Sequence, residues 1–347
     1  MNYRILELES SQLFAKQSQK TQVLVTNSIV SDIYRTRQTH VYEVRTISEI
    51  IAKKIGFKRV EELAFVSMTH DIGHPPFGHR GAETIDKVFK KLGLNEGFSD
   101  NNNNLQMLEH NDLSFTDYEA VSLIKYPKKL YEDQKKRYLP ILKKFLEEER
   151  KEWGSKLKRT VACNIMDIAD EIAYTTSDLY DSYSTGYTCE VMNKAFFELA
   201  KKYKSEPKLF SALNGIAIAA ENSYKRVLRA EIFNLKMILI ENVYWDYEKA
   251  NLLFRSSAYK ELLKDIFSFN YKFFIKNKNI ENKRVKVVKK LEKVIYDLIK
   301  KGPESFPSDM YREKFLSSTS EIERLRIVRD MISDTTDSFI INYKLKD

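Results

Sequence analysis

Three of the five histidines of this chain fall in one ten-residue stretch, His70-Asp71-Ile72-Gly73-His74-Pro75-Pro76-Phe77-Gly78-His79, together with an aspartate. Imidazole nitrogens beside a carboxylate suit a hard or borderline divalent cation, and clustering of this kind seldom serves packing alone. A fourth histidine, His40, follows Arg37 by three residues. Further on, Asp167, Asp170, Tyr174, Asp178 and Asp181 recur at steps of three and four, which places them on one helical face. Aligned carboxylates repel one another unless a cation neutralises them; an exposed acidic stripe is the plainer alternative. Two imidazoles and two carboxylates leave coordination positions open. That set suits Mn, Mg, Fe, Co or Ni, with Mn or Mg foremost, better than a closed tetrahedral zinc site.

The elements that must position these groups read as helices. Val44, Ile47, Ile51 and Ile55 lie on one face of a segment that stops at Gly56, a residue that favours the left-handed helix terminus. A second helix, roughly Val60 to Thr69, delivers His70 and Asp71 at its end. The short connection from Gly56 to Arg59 predicts an antiparallel pair, which brings His40 beside His70 and Asp71. Val287, Val288, Leu291, Val294, Ile295, Leu298 and Ile299 form another stripe, closed by Gly302-Pro303. Period-two alternation is rare, and ten glycines and seven prolines supply few hairpin turns, so an all-α fold is expected over α/β. The Asn101–Asn104 run, taken alone, reads as a loop. Residues 1–190 carry nearly all the candidate chemistry, and residues 191–347 read as a helical C-terminal part completing the same unit.

At 347 residues, 43% hydrophobic and 31% charged, the chain can bury one large core or two modest ones. No stretch reaches about eighteen uncharged apolar residues, so no membrane span is expected. Met1 to Ser10 carries Arg4, Glu7 and Glu9 and lacks the pattern of a secretory signal. Cys163 and Cys189 form no zinc-type pair, which points to a reducing, cytoplasmic setting. The net charge of +9 invites a polyanionic partner, nucleic acid or nucleotide. Lys283, Lys286, Lys289, Lys290 and Lys293 instead match the solvated face of an amphipathic helix.

The order His40, His70-Asp71, Asp170 resembles the metal signature of the HD superfamily of phosphohydrolases. Longer strings narrow the likeness. KTQV at Lys20 to Val23, YRTRQTH at Tyr34 to His40, HDIGHPPFGH at His70 to His79 and ADEIAY at Ala169 to Tyr174 resemble the deoxynucleoside triphosphate triphosphohydrolases, often called dGTPases. Gly97-Phe98 followed by Asn101, Leu105 and Leu108, then Lys125-Tyr126-Pro127, and finally Asp330 to Asp337 extend it over almost the whole chain. On this likeness the Asn101–Asn104 run belongs to the start of a helix lining the site, on an HD-domain fold with a helical C-terminal extension.

The resemblance implies His40, His70, Asp71 and Asp170 as metal ligands. It implies His79 as the catalytic histidine and His74 as a contact to the α-phosphate. Gln22 and Arg37 would hold the sugar and phosphate end, Asn101 would line the substrate site, Tyr174 would stack on the deoxyribose and Asp178 would face its 3′-hydroxyl. A guanidinium fork suits phosphate, and a tyrosine ring pressed on C2′ excludes a ribose hydroxyl. The family's acid three positions after the histidine equivalent to His79 is Ala82 here, and Glu83, one position later, is the expected partner of His79. Ser177 and Asn103 depart from the histidine and glutamine common in the family.

The activity implied is metal-dependent hydrolysis of 2′-deoxynucleoside triphosphates at the α-phosphorus, giving deoxynucleoside and tripolyphosphate. The rivals are another HD phosphohydrolase, a nucleoside monophosphate phosphatase or nuclease, and a nucleotide- or nucleic-acid-binding module without turnover. The resemblance also implies a homo-oligomer, hexamers being common among relatives. Weak binding of single-stranded nucleic acid as a side activity is a further expectation from the charge.

Overall fold

Helices account for nearly all regular structure in the computed structural model, which describes residues 3–22 and 35–345; Val23 and Tyr34 of the motifs above lie outside the described residues. The all-α expectation holds. The one sheet among the described residues is a two-stranded antiparallel hairpin, Val243–Asp246 with Asn251–Phe254, whose turn places Ala250 at φ +48°. No helix among them is long and apolar enough to cross a membrane. Neither cysteine forms a disulfide; Cys163 is buried and Cys189 exposed.

Local signals set the helix ends. The Arg37–Ile55 helix stops where Gly56 adopts φ +78°, and Phe57 N donates back to Ala52 O at 2.9 Å, satisfying a terminal carbonyl. Val60–Thr69 begins with Glu61 and Glu62 in its first turn, where the helix dipole favours anions. The asparagine run is helical, not a loop: it lies inside Asp100–His110, which Ser99 caps by accepting from Asn102 N.

Contacts divide the chain into two units, each assembled from separated stretches. The first comprises Met1–Val41, Phe65–Lys144 and Asn282–Asp347. Its core joins Ile85, Val88 and Phe89 of the Gly78–Lys91 helix to Leu291, Val294, Ile295 and Leu298 of the Lys278–Lys301 helix and to Val328, Met331 and Ile332 of Glu321–Ser333. Each such side chain contributes roughly 1.5–3 kcal/mol on burial, so apolar packing outweighs any one polar contact in holding the C-terminal stretch here. Lys283, Lys286, Lys289 and Lys293 are exposed opposite that stripe, as a solvated face requires, while Lys290 is half-buried and donates to Ile341 O.

The second unit comprises Tyr42–Ala64 and Phe145–Glu281. Its central helix, Val161–Ser184, is capped by Thr160, which accepts from Cys163 N at 3.2 Å, and packs on the Lys225–Glu241 and Ser257–Asn270 helices. Trp245 meets Trp153 edge-to-face at 5.1 Å and donates its indole N–H to Trp153 O at 3.0 Å, which ties the hairpin down.

Candidate metal centre and adjoining histidine cluster

Residues 70–77 form an irregular buried turn, and a buried turn is stable only if its backbone polar groups find partners. Asparagines and residues distant in sequence supply them. Asn104 donates from Nδ2 to His70 O at 2.5 Å and accepts from Gly73 N at 2.7 Å, while Asn103 Nδ2 donates to Gly73 O at 2.7 Å. Gln17 donates to Ile72 O, and Asp337 Oδ1 accepts from Phe77 N at 2.9 Å. Lys20, fully buried, donates to His74 O at 2.7 Å and Ser333 O at 3.0 Å.

Burial pushes Lys20 down to about 8 from 10.5, opposed by Asp334 and lowered further by Arg37. The folded protein therefore binds fewer protons than the unfolded chain between those values. The destabilisation is complete below pH 8 and is relieved as pH rises. Comparing urea unfolding of the protein with a Lys20→Met variant, the difference should shift toward the protein by about 3 kcal/mol between pH 7.5 and 10.5. A difference independent of pH would contradict the charged, buried state of Lys20.

The turn sets His70 and Asp71 next to His40 at the start of its helix. One ligand atom from each of these three residues lies within 4.8 Å of the others, and all three are buried. His40 Nε2 is 3.9 Å from Asp71 Oδ2, His70 Nε2 is 3.7 Å from Asp71 Oδ1, and the imidazole centroids are 5.6 Å apart. His70 Nδ1 contacts Ser67 O at 2.7 Å, a bond that places the proton on Nδ1 and directs the Nε2 lone pair to the cluster. Two imidazole nitrogens and a carboxylate oxygen, with one imidazole oriented from behind, fit a divalent ion.

Arg37 Nη1 donates to Asp71 Oδ2 at 2.7 Å, and its guanidinium is buried. Burial opposes ionisation of Asp71, yet His74, His70 and Arg37 together hold its carboxyl well below the usual carboxylate range. Gln22 is placed by the backbone pairing of residues 20–22 with 35–37: Gln22 N donates to Arg35 O, and Arg37 N to Lys20 O. Gly78, at φ +57°, leaves room for Arg37, whose Nη2 would lie 2.9 Å from any Cβ there.

A second group adjoins the first. His74 Nδ1 lies 3.2 Å from Asp71 Oδ1, and His74 Nε2 lies 3.2 Å from Asp100 Oδ2. His79 Nδ1 is 3.4 Å from that same oxygen, and the two imidazoles meet edge-to-face at 5.5 Å. Burial, helped by Arg37, pushes His74 down to about 3 despite the two carboxylates. The hydrogen bond to Asp100 raises His79, outweighing the opposing charge of Arg37. Burial opposes the charge of Asp100, but His74 and His79 hold its carboxyl below the usual range.

Glu83 does not reach His79. Its carboxylate pairs with Arg80 at 3.0 Å on the exposed side of the helix, and Asp100 takes the place expected of it. Asn101, expected to line the substrate site, donates from Nδ2 to Asp100 Oδ1 at 3.1 Å. Asp100 carries no distinctive sequence signal of its own, because an acid at the first position of a helix ordinarily serves the helix dipole. The signal available was the missing acid at Ala82.

Asp170, Tyr174 and Asp178 lie on the Val161–Ser184 helix of the second unit. Asp178 is buried, Asp170 and Tyr174 half-buried, and the Tyr174 ring meets Phe267 edge-to-face at 6.1 Å. Burial, with Glu171 and Asp170 nearby, pushes the Tyr174 phenol well up, so it is neutral at any physiological pH. Asp167, on the same stripe, pairs with Arg159 at 2.8 Å. Ser177, the departure from the family's histidine, donates to Glu43, which also binds Lys236.

The model of the HD domain matches residues 37–175, a span that includes His40, His70, Asp71, Asp170 and Tyr174. A deoxyguanosinetriphosphate triphosphohydrolase-like protein of Leptospira interrogans is 26% identical, covering 95% of this chain and 84% of its own. One of the same name from Neorickettsia sennetsu is 27% identical, covering 95% and 86%. Another from Wolinella succinogenes is 31% identical over 174 residues, half of this chain and 46% of its own. Residues 37–175 thus match an HD domain, and the chain is similar over nearly its whole length to proteins that bear the dGTPase-like name.

Proposed function

We propose that this protein is a phosphohydrolase that cleaves 2′-deoxynucleoside triphosphates at the α-phosphorus, releasing deoxynucleoside and tripolyphosphate. The observation that carries the reading is the His40, His70 and Asp71 group with Arg37 in contact and the His74, His79 and Asp100 group adjoining it. Similarity to dGTPase-like proteins over 95% of the chain supports the choice of substrate. Asp170 as fourth ligand, Tyr174 against the sugar and Asp178 toward its 3′-hydroxyl are carried from the motif alone.

A bound divalent ion supplies Lewis acidity toward an α-phosphate oxygen. Arg37, already charged and buried, offers the second face of its guanidinium to phosphate. His79, with its side chain 82% exposed, delivers a proton to the departing 5′ oxygen, a step suited to an imidazole of near-neutral pKa. As the donor must be protonated and its pKa is raised, activity should fall as pH climbs through that raised value.

The reading is tested by incubating the protein with each dNTP, with GTP and with dGMP under Mn or Mg and resolving the products. Tripolyphosphate with deoxynucleoside from dNTPs, and at least about 100-fold slower turnover of GTP, are expected, steric rejection being worth several kcal/mol. Orthophosphate from dGMP would support a monophosphatase instead.

A further inference from the structure

We infer that Asp100 is the positioning residue for His79, holding the imidazole with its proton on Nδ1 so that Nε2 is the atom that exchanges a proton with substrate. The geometry is specific to one oxygen. Asp100 Oδ1 is occupied by the backbone N–H of Asn101 at 2.9 Å and by its side-chain amide at 3.1 Å. Oδ2 is thereby turned to His79 Nδ1 at 3.4 Å and His74 Nε2 at 3.2 Å. The aspartate side chain is only 16% exposed, so the charge is shielded from water and acts strongly on the rings beside it.

Glu83 belongs to the His79 helix but pairs with Arg80, and Ala82 carries no acid, so nothing on that helix does this work. Asp100 supplies the carboxylate from the next helix, and Asn101 fixes its rotamer. The charged and titratable groups facing His79 are Asp100, His74, Arg37 and Asp71. Arg37 opposes protonation and Asp71 favours it weakly; the hydrogen bond to Asp100 is the largest influence and decides the direction.

The inference rests on the proposed activity only for its kinetic arm, so its structural arm is read without substrate. In ¹⁵N-histidine NMR of the Mg-loaded protein, with His79 assigned by loss of its signal in His79→Gln, the Asp100→Asn variant should show a lower His79 pKa than the unmodified protein. Asp100→Glu should recover part of that shift. In kinetics, Asp100→Asn should lower kcat about 100-fold with little change in KM, and the alkaline limb of the pH profile should move to lower pH. If no dNTP is turned over but the NMR shift is found, the proposed function fails and the role of Asp100 stands.

An unchanged His79 pKa in a folded Asp100→Asn protein would overturn the inference. So would binding of two Mn ions per chain with the second lost in Asp100→Asn, because His79 Nδ1 would then be a ligand and carry no proton. Should Asp100→Asn fail to fold, the wild-type titration decides: a His79 pKa above 6.5 is expected, and one at or below 6.5 contradicts it.

Discussion

Asp71→Ala is expected to reduce dNTP hydrolysis at least about 1,000-fold, the consequence of losing several kcal/mol of charge stabilisation at the reacting phosphate. The carboxylate lies beside four residues of the site: His40 and His70 at 3.9 and 3.7 Å, His74 at 3.2 Å and Arg37 at 2.7 Å. Its removal takes away the only negative donor of the three-residue group and leaves the Arg37 guanidinium buried without its partner carboxylate. The second consequence costs about 3 kcal/mol in stability. Asp71→Asn keeps the volume and separates the two effects. Calorimetric titration with Mn should show at least about 100-fold weaker binding in both variants. Undiminished metal affinity and activity in a folded Asp71→Asn protein would remove Asp71 from the ligand set.

Gly73→Ala is expected to destabilise the first unit by about 3–5 kcal/mol, although its chemistry is only one methyl group. The added Cβ would collide with Asn104 N and would lie 2.5 Å from the Asn103 carbonyl carbon and 2.8 Å from Asn104 Oδ1. The first two obstacles are helix backbone and cannot swing aside. Relief requires the Asp100–His110 helix to withdraw, which breaks the bonds from Asn103 and Asn104 to Gly73 and His70. Asp100 would withdraw with that helix, so His79 should lose its raised pKa in any molecules that remain folded. Urea unfolding measures the first effect; a loss under about 1 kcal/mol would show that the turn is looser than the structure describes.

These two positions differ in how far the sequence reveals them. His70 and Asp71 announce themselves by type, because imidazoles beside an acid at the end of an apolar helical stripe have few structural uses. The Arg37–Ile55 and Val60–Thr69 helices are equally legible, through their periodicity and the stop at Gly56. The tightness around Gly73 is not, since it arises from a helix thirty residues away. Composition suggests a loop for the asparagine run, whereas its amides are backbone partners for the buried turn, a role visible only in three dimensions.

The same limit explains other gaps. Thr21 binds Asp337 through both its N–H and hydroxyl, and Lys20 binds Ser333 O, contacts separated by more than 300 residues of sequence. The Val243–Phe254 hairpin has strands of four residues, too short for alternation to stand out from helical spacing. Asp100 has the ordinary setting of an acid at a helix start, while Glu83, whose spacing suits a partner of His79, faces solvent instead.

Hydrolysis in H₂¹⁸O tests the central claim most directly. The protein, a dNTP and Mn in labelled water should yield one ¹⁸O atom per turnover in tripolyphosphate and none in the deoxynucleoside, because water adds to the α-phosphorus and the bond to the 5′ oxygen breaks. Label in the deoxynucleoside, or products consisting of orthophosphate or pyrophosphate in place of tripolyphosphate, would contradict it.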